Sequence, residues 1–428
     1  MAERNYRDPV HNLIKVEAGT RDGQLIVDLI DTAEFQRLRR VRQLGLAHFA
    51  YQGAEHSRFT HSLGAYHLAT RILGRLTASY ELDADDITAV KAAALLHDIG
   101  HGAFSHVIES ILHFHHEDFT VEAVLSDSTE VGRVLAAYSP DLPGRVADII
   151  RGTFRPMALA QLVSSQLDVD RMDYLLRDSL MTGVKYGIFD LEWIIKSIGI
   201  NESADQLYVS APGIYAVEDY LQARYYMFRQ VYFHRSLRAA EAILQSLLRR
   251  ALKLFADGEK VWFASGTPFE QILRGEKLSL SEHLALDDSD VLFYIKQWQH
   301  SDDTILADLS RRFITRRLFK AFDMDMPENE RPVFVESVKQ IAAKNGFDPE
   351  YYVIEDKGGD VSHNFYIKDE SKSKDMIFVQ DGFSRPQIRE ISEVSSAVRG
   401  LQKGYRIHRL CFPAEIKDEI APLYSQDQ

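Results

Sequence analysis

Cysteine is nearly absent: the 428 residues contain one, Cys411. No internal disulfide framework can form, and a reducing, cytoplasmic location is expected. Proline is scarce at 12 residues, and from 216 to 256 neither proline nor glycine interrupts the chain, so a long helix is allowed there. Nowhere do 18 uncharged apolar residues run together, so no transmembrane helix is expected. The N-terminus, Met1-Ala2-Glu3-Arg4-Asn5, lacks the apolar stretch of a signal peptide. Positive charge is in deficit, with 50 Lys and Arg against 63 Asp and Glu and a net charge of −13. Such a chain is a poor general binder of nucleic acid or of an anionic membrane. A local basic pocket for a phosphorylated small molecule is still compatible with it. Core-forming material is ample: 45% hydrophobic and 11% aromatic residues exclude disorder as the main theme. The length suits two or three domains, or one large helical unit with a smaller lobe.

Residues 1–30 read as irregular, punctuated by Pro9, Gly19 and Gly23. Helical patterning starts after Asp31-Thr32, where Phe35, Leu38, Val41 and Leu44 recur at three-residue steps among Arg37, Arg39, Arg40 and Arg42. Helices are also expected over 58–80 and 143–186, and over 85–97 with Asp83 or Asp85 as cap and Ile99-Gly100 as stop. Residues 206–211 alternate like a short strand, and 216–256 predicts one very long helix. Character changes near residue 300. Helix is expected over 301–323, then β-branched or aromatic runs at 332–336, 351–355, 363–368, 376–380 and 405–412. Helical patterns at 337–344 and 388–400 and a polar hairpin loop at 369–374 lie between them. The expected architecture is mainly α: a helical body, residues 1–300, with a smaller C-terminal α+β lobe, residues 301–428.

Histidine is plentiful, with 16 in all and eleven within the first 116 residues. His61 sits in Arg58-Phe59-Thr60-His61-Ser62-Leu63-Gly64, and His97-Asp98 follows the apolar run Ala92-Ala93-Ala94-Leu95-Leu96. Next come Gly100-His101-Gly102-Ala103-Phe104-Ser105-His106 and then His115-His116-Glu117-Asp118. Two imidazoles and two carboxylates around one ion make a mixed nitrogen and oxygen site, suited to Fe, Mn, Zn, Ni or Mg. Adjacent His97 and Asp98 cannot share a face in mid-helix. At a helix end broken by Gly100, both can turn toward one ion. A fourth ligand must come from elsewhere, and Asp170 in Leu167-Asp168-Val169-Asp170-Arg171-Met172-Asp173-Tyr174 is the best acidic candidate. A bare His-Asp pair is usually a capping or surface feature. So many ionisable groups against an apolar helix are unfavourable to bury unless they bind something.

These residues resemble the HD-domain phosphohydrolase superfamily, whose metal signature is His … His-Asp … Asp. The matching positions are His61, His97, Asp98 and Asp170, all within 58–178. Ile30-Asp31-Thr32, Phe35-Gln36-Arg37-Leu38-Arg39 and Gln43-Leu44-Gly45 precede them in the order of the dNTP triphosphohydrolase branch. The likeness covers residues 5–240. Beyond it, only Arg317-Leu318-Phe319-Lys320 and Asn364-Phe365-Tyr366-Ile367-Lys368 look similar.

The resemblance implies hydrolysis of a dNTP at the α-phosphorus, giving deoxynucleoside and triphosphate. A divalent metal would polarise a phosphoryl oxygen and orient water, with Mg²⁺ on the substrate triphosphate. Arg58, Arg171 and Arg224 match phosphate contacts, Arg171 standing where the vertebrate enzyme has lysine. His101, His106 and His116 match the histidines beside the α-phosphate, one of which would protonate the leaving 5′-oxygen. Glu109, three residues after His106, would orient an imidazole. Gln43 and Asp178 look like ligands of the 3′-hydroxyl. Tyr174 and Tyr232 look like the floor under the deoxyribose; Leu167, Arg171, Tyr174 and Asp178 fit one helix face, and Arg224, Phe228 and Tyr232 another. Asp31, Gln36 and Arg39 match residues that read a guanine at a subunit interface, implying a GTP or dNTP activator and a homo-oligomer, dimer or tetramer. The basic residue expected on the short strand is missing from Leu207-Tyr208-Val209-Ser210, while Phe233-His234-Arg235 is partly retained. Two other readings compete. One is an HD phosphohydrolase or phosphodiesterase acting on another nucleotide. The other is a non-catalytic nucleotide sensor, which would be expected to lose a ligand.

Overall fold

The structure, a computed structural model, describes residues 3–104, 106–112, 114–203, 205–358, 376–382, 386–401 and 407–424; for 106, 110, 112, 358 and 424 it describes the backbone alone. The expected strand at 363–368 and the loop at 369–374 lie outside the described residues.

The body is built around three helices that carry the candidate ligands. The helix Arg58–Thr77 packs against Ala84–Leu96 on one side and Val169–Thr182 on the other. Ala84–Leu96 starts at Asp83, whose carboxylate accepts from the amides of Asp85 and Asp86. From Thr88 onward nearly every residue is buried, as expected of a helix that is apolar all round. Val169–Thr182 starts at Asp168, which accepts from Arg171 N, and stops at Gly183 in a left-handed C-cap at φ 79°. Around these helices lies the largest apolar cluster, running from Ile14 to Val398. A second cluster surrounds the helix Arg235–Ala256, and a third lies under the C-terminal sheet.

The strands are few and short. β1 (Arg4–Asp8) and β2 (Asn12–Val16) form an antiparallel hairpin. β3 (Ile198–Asn201), β4 (Gln206–Val209), β7 (Phe378–Asp381) and β8 (Gln387–Glu390) form a four-stranded sheet in that order. β5 (Lys320–Asp323), β9 (Ile407–Phe412) and β6 (Ile354–Gly358) form a three-stranded sheet in the order 5-9-6. The first four-residue pair thus meets strands from beyond residue 300. The fold is mainly α with a smaller α+β region, as the sequence predicts. No helix among the described residues is long and apolar enough to cross a membrane.

Several local expectations are corrected. Residues 1–30 are not irregular: the β1–β2 hairpin is followed by a helix, Arg21–Asp31. The helix expected after Thr32 ends at Arg37 and passes into a 3₁₀ turn, Leu38–Arg40. A strict three-residue apolar recurrence is the 3₁₀ period rather than the 3.6-residue one, which explains the misreading. The long helix over 216–256 is two helices, Ile214–Met227 and Arg235–Ala256, separated by a π-helical turn, Phe228–Tyr232, with His234 as cap of the second. Helix in 301–323 stops at Ile314, Arg316 adopts φ 57°, and the last four residues, Lys320–Asp323, form β5. Residues 332–336 lie inside a helix, Arg331–Lys344, whose first turn tolerates Pro332 because an amide there has no intrahelical partner to lose. The 351–355 run divides between a helical turn, Pro349–Tyr352, and β6, while 388–400 begins as β8 before turning helical.

Candidate functional site

His61 lies in the first turn of its helix, His97 caps the end of Ala84–Leu96 with Asp98 next to it, and Asp170 lies in the first turn of Val169–Thr182. The three helices bring these groups to one point. His61 Nε2 is 3.2 Å from His97 Nε2 and 3.1 Å from Asp170 Oδ1. His97 Nε2 is 3.6 Å from the same oxygen, and Asp98 lies 3.8 Å from His61 Nε2 and 3.5 Å from His97 Nε2.

The donor set fits a divalent ion. Ligand atoms about 2.0–2.2 Å from one metal stand roughly 3.0–3.5 Å apart, close to the separations found here. Both tautomers are also set for it. His61 donates from Nδ1 to Asp173 Oδ2 at 2.8 Å, and His97 donates from Nδ1 to the Ala94 carbonyl at 2.9 Å. Each Nε2 lone pair is left facing the common point. The electrostatics ask for a cation. Burial disfavours charge on His61, yet hydrogen bonds to Asp170 and Asp173 outweigh it and push the imidazole up to about 10. Burial likewise works against the Asp98 anion, but Arg58, His97 and His101 hold its carboxyl well below the usual range. The residues present would hold Fe, Mn, Zn, Ni or Mg; nothing in the donor set selects among them.

Beside this point His101, Glu109 and His116 meet. Glu109 Oε1 lies 2.8 Å from His116 Nδ1 and 3.6 Å from His101 Nδ1, and the two rings stack at 3.6 Å. His101 Nε2 is 3.3 Å from Asp98. Burial, together with the neighbouring Arg58 guanidinium and His116 ring, pushes the His101 imidazole well down, so it is held neutral. The helix His106–Leu112 carries Glu109, but the His106 side chain lies outside the described residues.

The backbone of this loop is pinned from behind. The fully buried Arg37 donates to the carbonyls of Ile99, His101 and Leu286 at 2.7, 2.8 and 2.8 Å. Asp288 accepts from Phe104 N and Arg42 N. His283 lies flat on Phe119, 3.8 Å between centroids, and donates from Nε2 to the Gly100 carbonyl at 2.7 Å. Burial pushes His283 down to about 4. In the unfolded chain it titrates near 6.5, so between those values the unfolded state binds the extra proton and stability falls with falling pH. That shift corresponds to roughly 3 kcal/mol. Thermal unfolding followed from pH 7 to pH 4 should therefore be less steep in His283→Gln, which keeps a donor and does not titrate. Identical slopes would remove His283 from the account.

The cations expected at phosphates are all held by neighbours. Arg58 bonds Asp98 at 2.6 Å, Arg171 bonds Asp168 and the Ser165 carbonyl, and Arg224 bonds Gln166 Oε1. The residues expected at the sugar converge too. Asp178 accepts from His56 Nε2 at 2.7 Å and from Tyr232 OH at 2.9 Å. Tyr174 meets Tyr232 edge-on at 6.2 Å and lies 6.4 Å from the His61 ring. Gln43 donates its amide to His56 O, and its side-chain oxygen is buried without a hydrogen-bond partner among the described residues. Leu167, expected on the same helix face as Arg171, Tyr174 and Asp178, instead precedes the Asp168 cap. Asp31, Gln36 and Arg39 gather at one edge: Asp31 bonds Arg4, Arg39 bonds Gln36 at 2.8 Å and lies over the Phe59 ring.

His56, Gln166 and Asp173 were not picked out from the sequence. Asp173 had a signal, standing one turn after Asp170 on the same helix. His56 and Gln166 lie in loops and carried none.

The HD domain family profile matches residues 58–178, the span that holds all four donors. The chain is similar to the uncharacterized protein YwfO of Bacillus subtilis, 41% identical over 97% of this chain and 93% of that protein. A solved phosphohydrolase structure from Bacteroides thetaiotaomicron has a TM-score of 0.80 at 30% identity, over 96% of this chain and 99% of that one. The deoxynucleoside triphosphate triphosphohydrolase SAMHD1 homolog of Dictyostelium discoideum is 31% identical over 53% of this chain and 46% of that protein. With a relative matched nearly end to end and the profile spanning the donors, the chain belongs to the HD-domain superfamily of metal-dependent phosphohydrolases.

Proposed function

We propose that the protein is a dNTP triphosphohydrolase, converting a deoxynucleoside triphosphate and water to deoxynucleoside and inorganic triphosphate. The observation that carries the reading is the adjacency of the four donors to an acid–base trio on one side and a Tyr174–Asp178–Tyr232 cluster on the other. His61, His97, Asp98 and Asp170 would hold a divalent ion, which would supply Lewis-acid polarisation of the phosphoryl group and activation of water. Arg58, Arg171 and Arg224, together with Mg²⁺ on the substrate, would offset the negative charge of the triphosphate. As the new P–O bond forms at the α-phosphorus, the bond to O5′ breaks and O5′ takes a proton. His116, in contact with Glu109, is placed to give it, while the neutral His101 accepts or orients; His106 is the third candidate. Gln43 and Asp178 bind the 3′-hydroxyl. Activation by GTP or a dNTP at Asp31, Gln36 and Arg39, in a dimer or tetramer, belongs to the same proposal.

The test is product analysis. Protein with Mn²⁺ is given each dNTP singly, then all four with GTP. Deoxynucleoside with intact triphosphate is expected, and a gain in the mixture would reveal the activator site. No product from any dNTP while metal is bound would move the substrate to another nucleotide. The sugar floor has its own check. Tyr232→Ala should reduce the ratio of kcat/KM for a dNTP over its ribonucleotide by about tenfold or more, since a packing contact is worth about 1–3 kcal/mol of discrimination. An unchanged ratio would take Tyr232 out of sugar recognition.

A further inference from the structure

Behind the candidate ligands lies a buried polar assembly that reaches the N-terminal hairpin. Asp173 and Arg177 have fully buried side chains, and those of Asp8 and His11 are 4% and 3% exposed. Four hydrogen bonds converge on the Asp173 carboxylate. Oδ1 accepts from His11 Nε2 at 2.7 Å and Arg177 Nη2 at 2.9 Å; Oδ2 accepts from His61 Nδ1 and Arg177 Nε, both at 2.8 Å. An ionised carboxylate offers about four lone-pair sites, so this one is saturated and its plane is fixed.

The hairpin turn is built to deliver His11. Asp8 Oδ1 accepts from the amides of Val10 and His11, both at 2.9 Å, and Asn12 takes φ 61°. The other oxygen, Asp8 Oδ2, accepts from Arg177 Nη1 at 2.7 Å. One carboxylate therefore shapes the turn and grips the arginine that holds Asp173. The ligand helix leaves room for this at Gly64, where a Cβ would stand 1.8 Å from Asp173 Oδ1 and 2.5 Å from Arg177 Nη2. Arg177 and Asp173, four apart on one helix, would pair without help. His11 is the contribution of a separate element, 162 residues away in sequence.

We propose that His11 is a positioning residue of the metal centre: through Asp173 it sets the ring and tautomer of His61, making the N-terminal hairpin part of the site. This rests on the metal reading above. His97 is oriented by its own helix, through Ala94, so the hairpin acts on His61 alone. Partners one shell behind a metal-bound imidazole typically change affinity by about 10- to 100-fold.

The experiment uses the full chain, with Mn²⁺ as probe and a competing chelator to fix affinity. It compares wild type, His11→Leu, His11→Gln, which restores a donor at the position of Nε2, and His97→Ala. Metal-free melting temperatures are measured beside them. His11→Leu should bind Mn²⁺ about 10- to 100-fold more weakly than wild type, with His11→Gln recovering most of the loss and His97→Ala losing the ion. Should His11→Leu fail to fold, His11→Asn, polar but too short to reach Asp173, carries the same expectation. Wild-type Mn²⁺ affinity in the variant lacking the donor would overturn the proposal even if its metal-free melting temperature fell, since the residue would then be merely structural. Wild type binding no better than His97→Ala would sink the metal reading, and this proposal with it.

Discussion

Replacing His97 by alanine should lower turnover by about 10³-fold or more and abolish retention of the divalent ion, because the charge stabilisation that a metal brings to phosphoryl transfer is worth several kcal/mol. Its metal-free form should melt close to the metal-free wild type, since among the described residues the His97 ring is held by a carbonyl of its own helix and by groups of the site. Asp98→Ala should lose the ion equally but also destabilise the fold. Arg58 is buried and donates to Asp98 at 2.6 Å, and removing one partner of a buried pair typically costs about 3–5 kcal/mol. The two variants therefore separate ligation from folding. Metal content by emission spectroscopy, with calorimetry on the metal-free proteins, reads both. Full turnover in either variant would dismiss the assignment of these ligands.

The second large effect is expected at a residue that touches no ligand. Arg37→Met should destabilise the protein by about 3–5 kcal/mol, because three buried carbonyls lose a charged donor at once. Burial pushes the Arg37 guanidinium down to about 10, still charged at neutral pH. Arg37→Lys should recover little, since one ammonium cannot reproduce a planar fork spread over Ile99, His101 and Leu286. In the protein that remains folded, kcat should fall by up to about 100-fold, the effect of misplacing a reacting group by about 1 Å. Metal affinity should change much less than turnover, because the His97 ring is anchored independently. Unfolding curves together with kcat decide it; wild-type stability in Arg37→Met would mean that the clamp is not formed.

The candidate ligand set was legible because its residues carry local signatures and match the family pattern. His97-Asp98 closes an apolar helix, Gly100 ends it, and Asp170 stands in an acidic run, Asp168-Val169-Asp170-Arg171-Met172-Asp173. The helix that bears His97 was legible for the same reason, through the cap at Asp83, the stop at Gly100 and its apolar run. What escaped were features set by distant packing. Nothing near residue 228 forbids helix, yet the chain forms a π turn where Tyr232 reaches Asp178 and then restarts at His234. Arg37 resembled one more solvated arginine in a basic run, although it is buried. His56 and Gln166 sit in loops whose meaning depends on Asp178 and Arg224, partners more than fifty residues away. The hairpin at 4–16 was misread because its strands are five residues each, too short for alternation to stand out.

The bracing of the His101 loop has a consequence for biosynthesis. Arg37 reaches Leu286 across 249 positions, and Phe104 reaches Asp288 across 184. At translation speeds of about 5–20 residues per second, the stretch that supplies these partners emerges roughly ten to forty seconds after His101. Through the later part of that interval, once residue 170 has emerged, all four candidate metal ligands are outside the ribosome while the loop between them has no backing. The nascent chain can gather its histidines early, but the site becomes rigid only once residue 288 has been made.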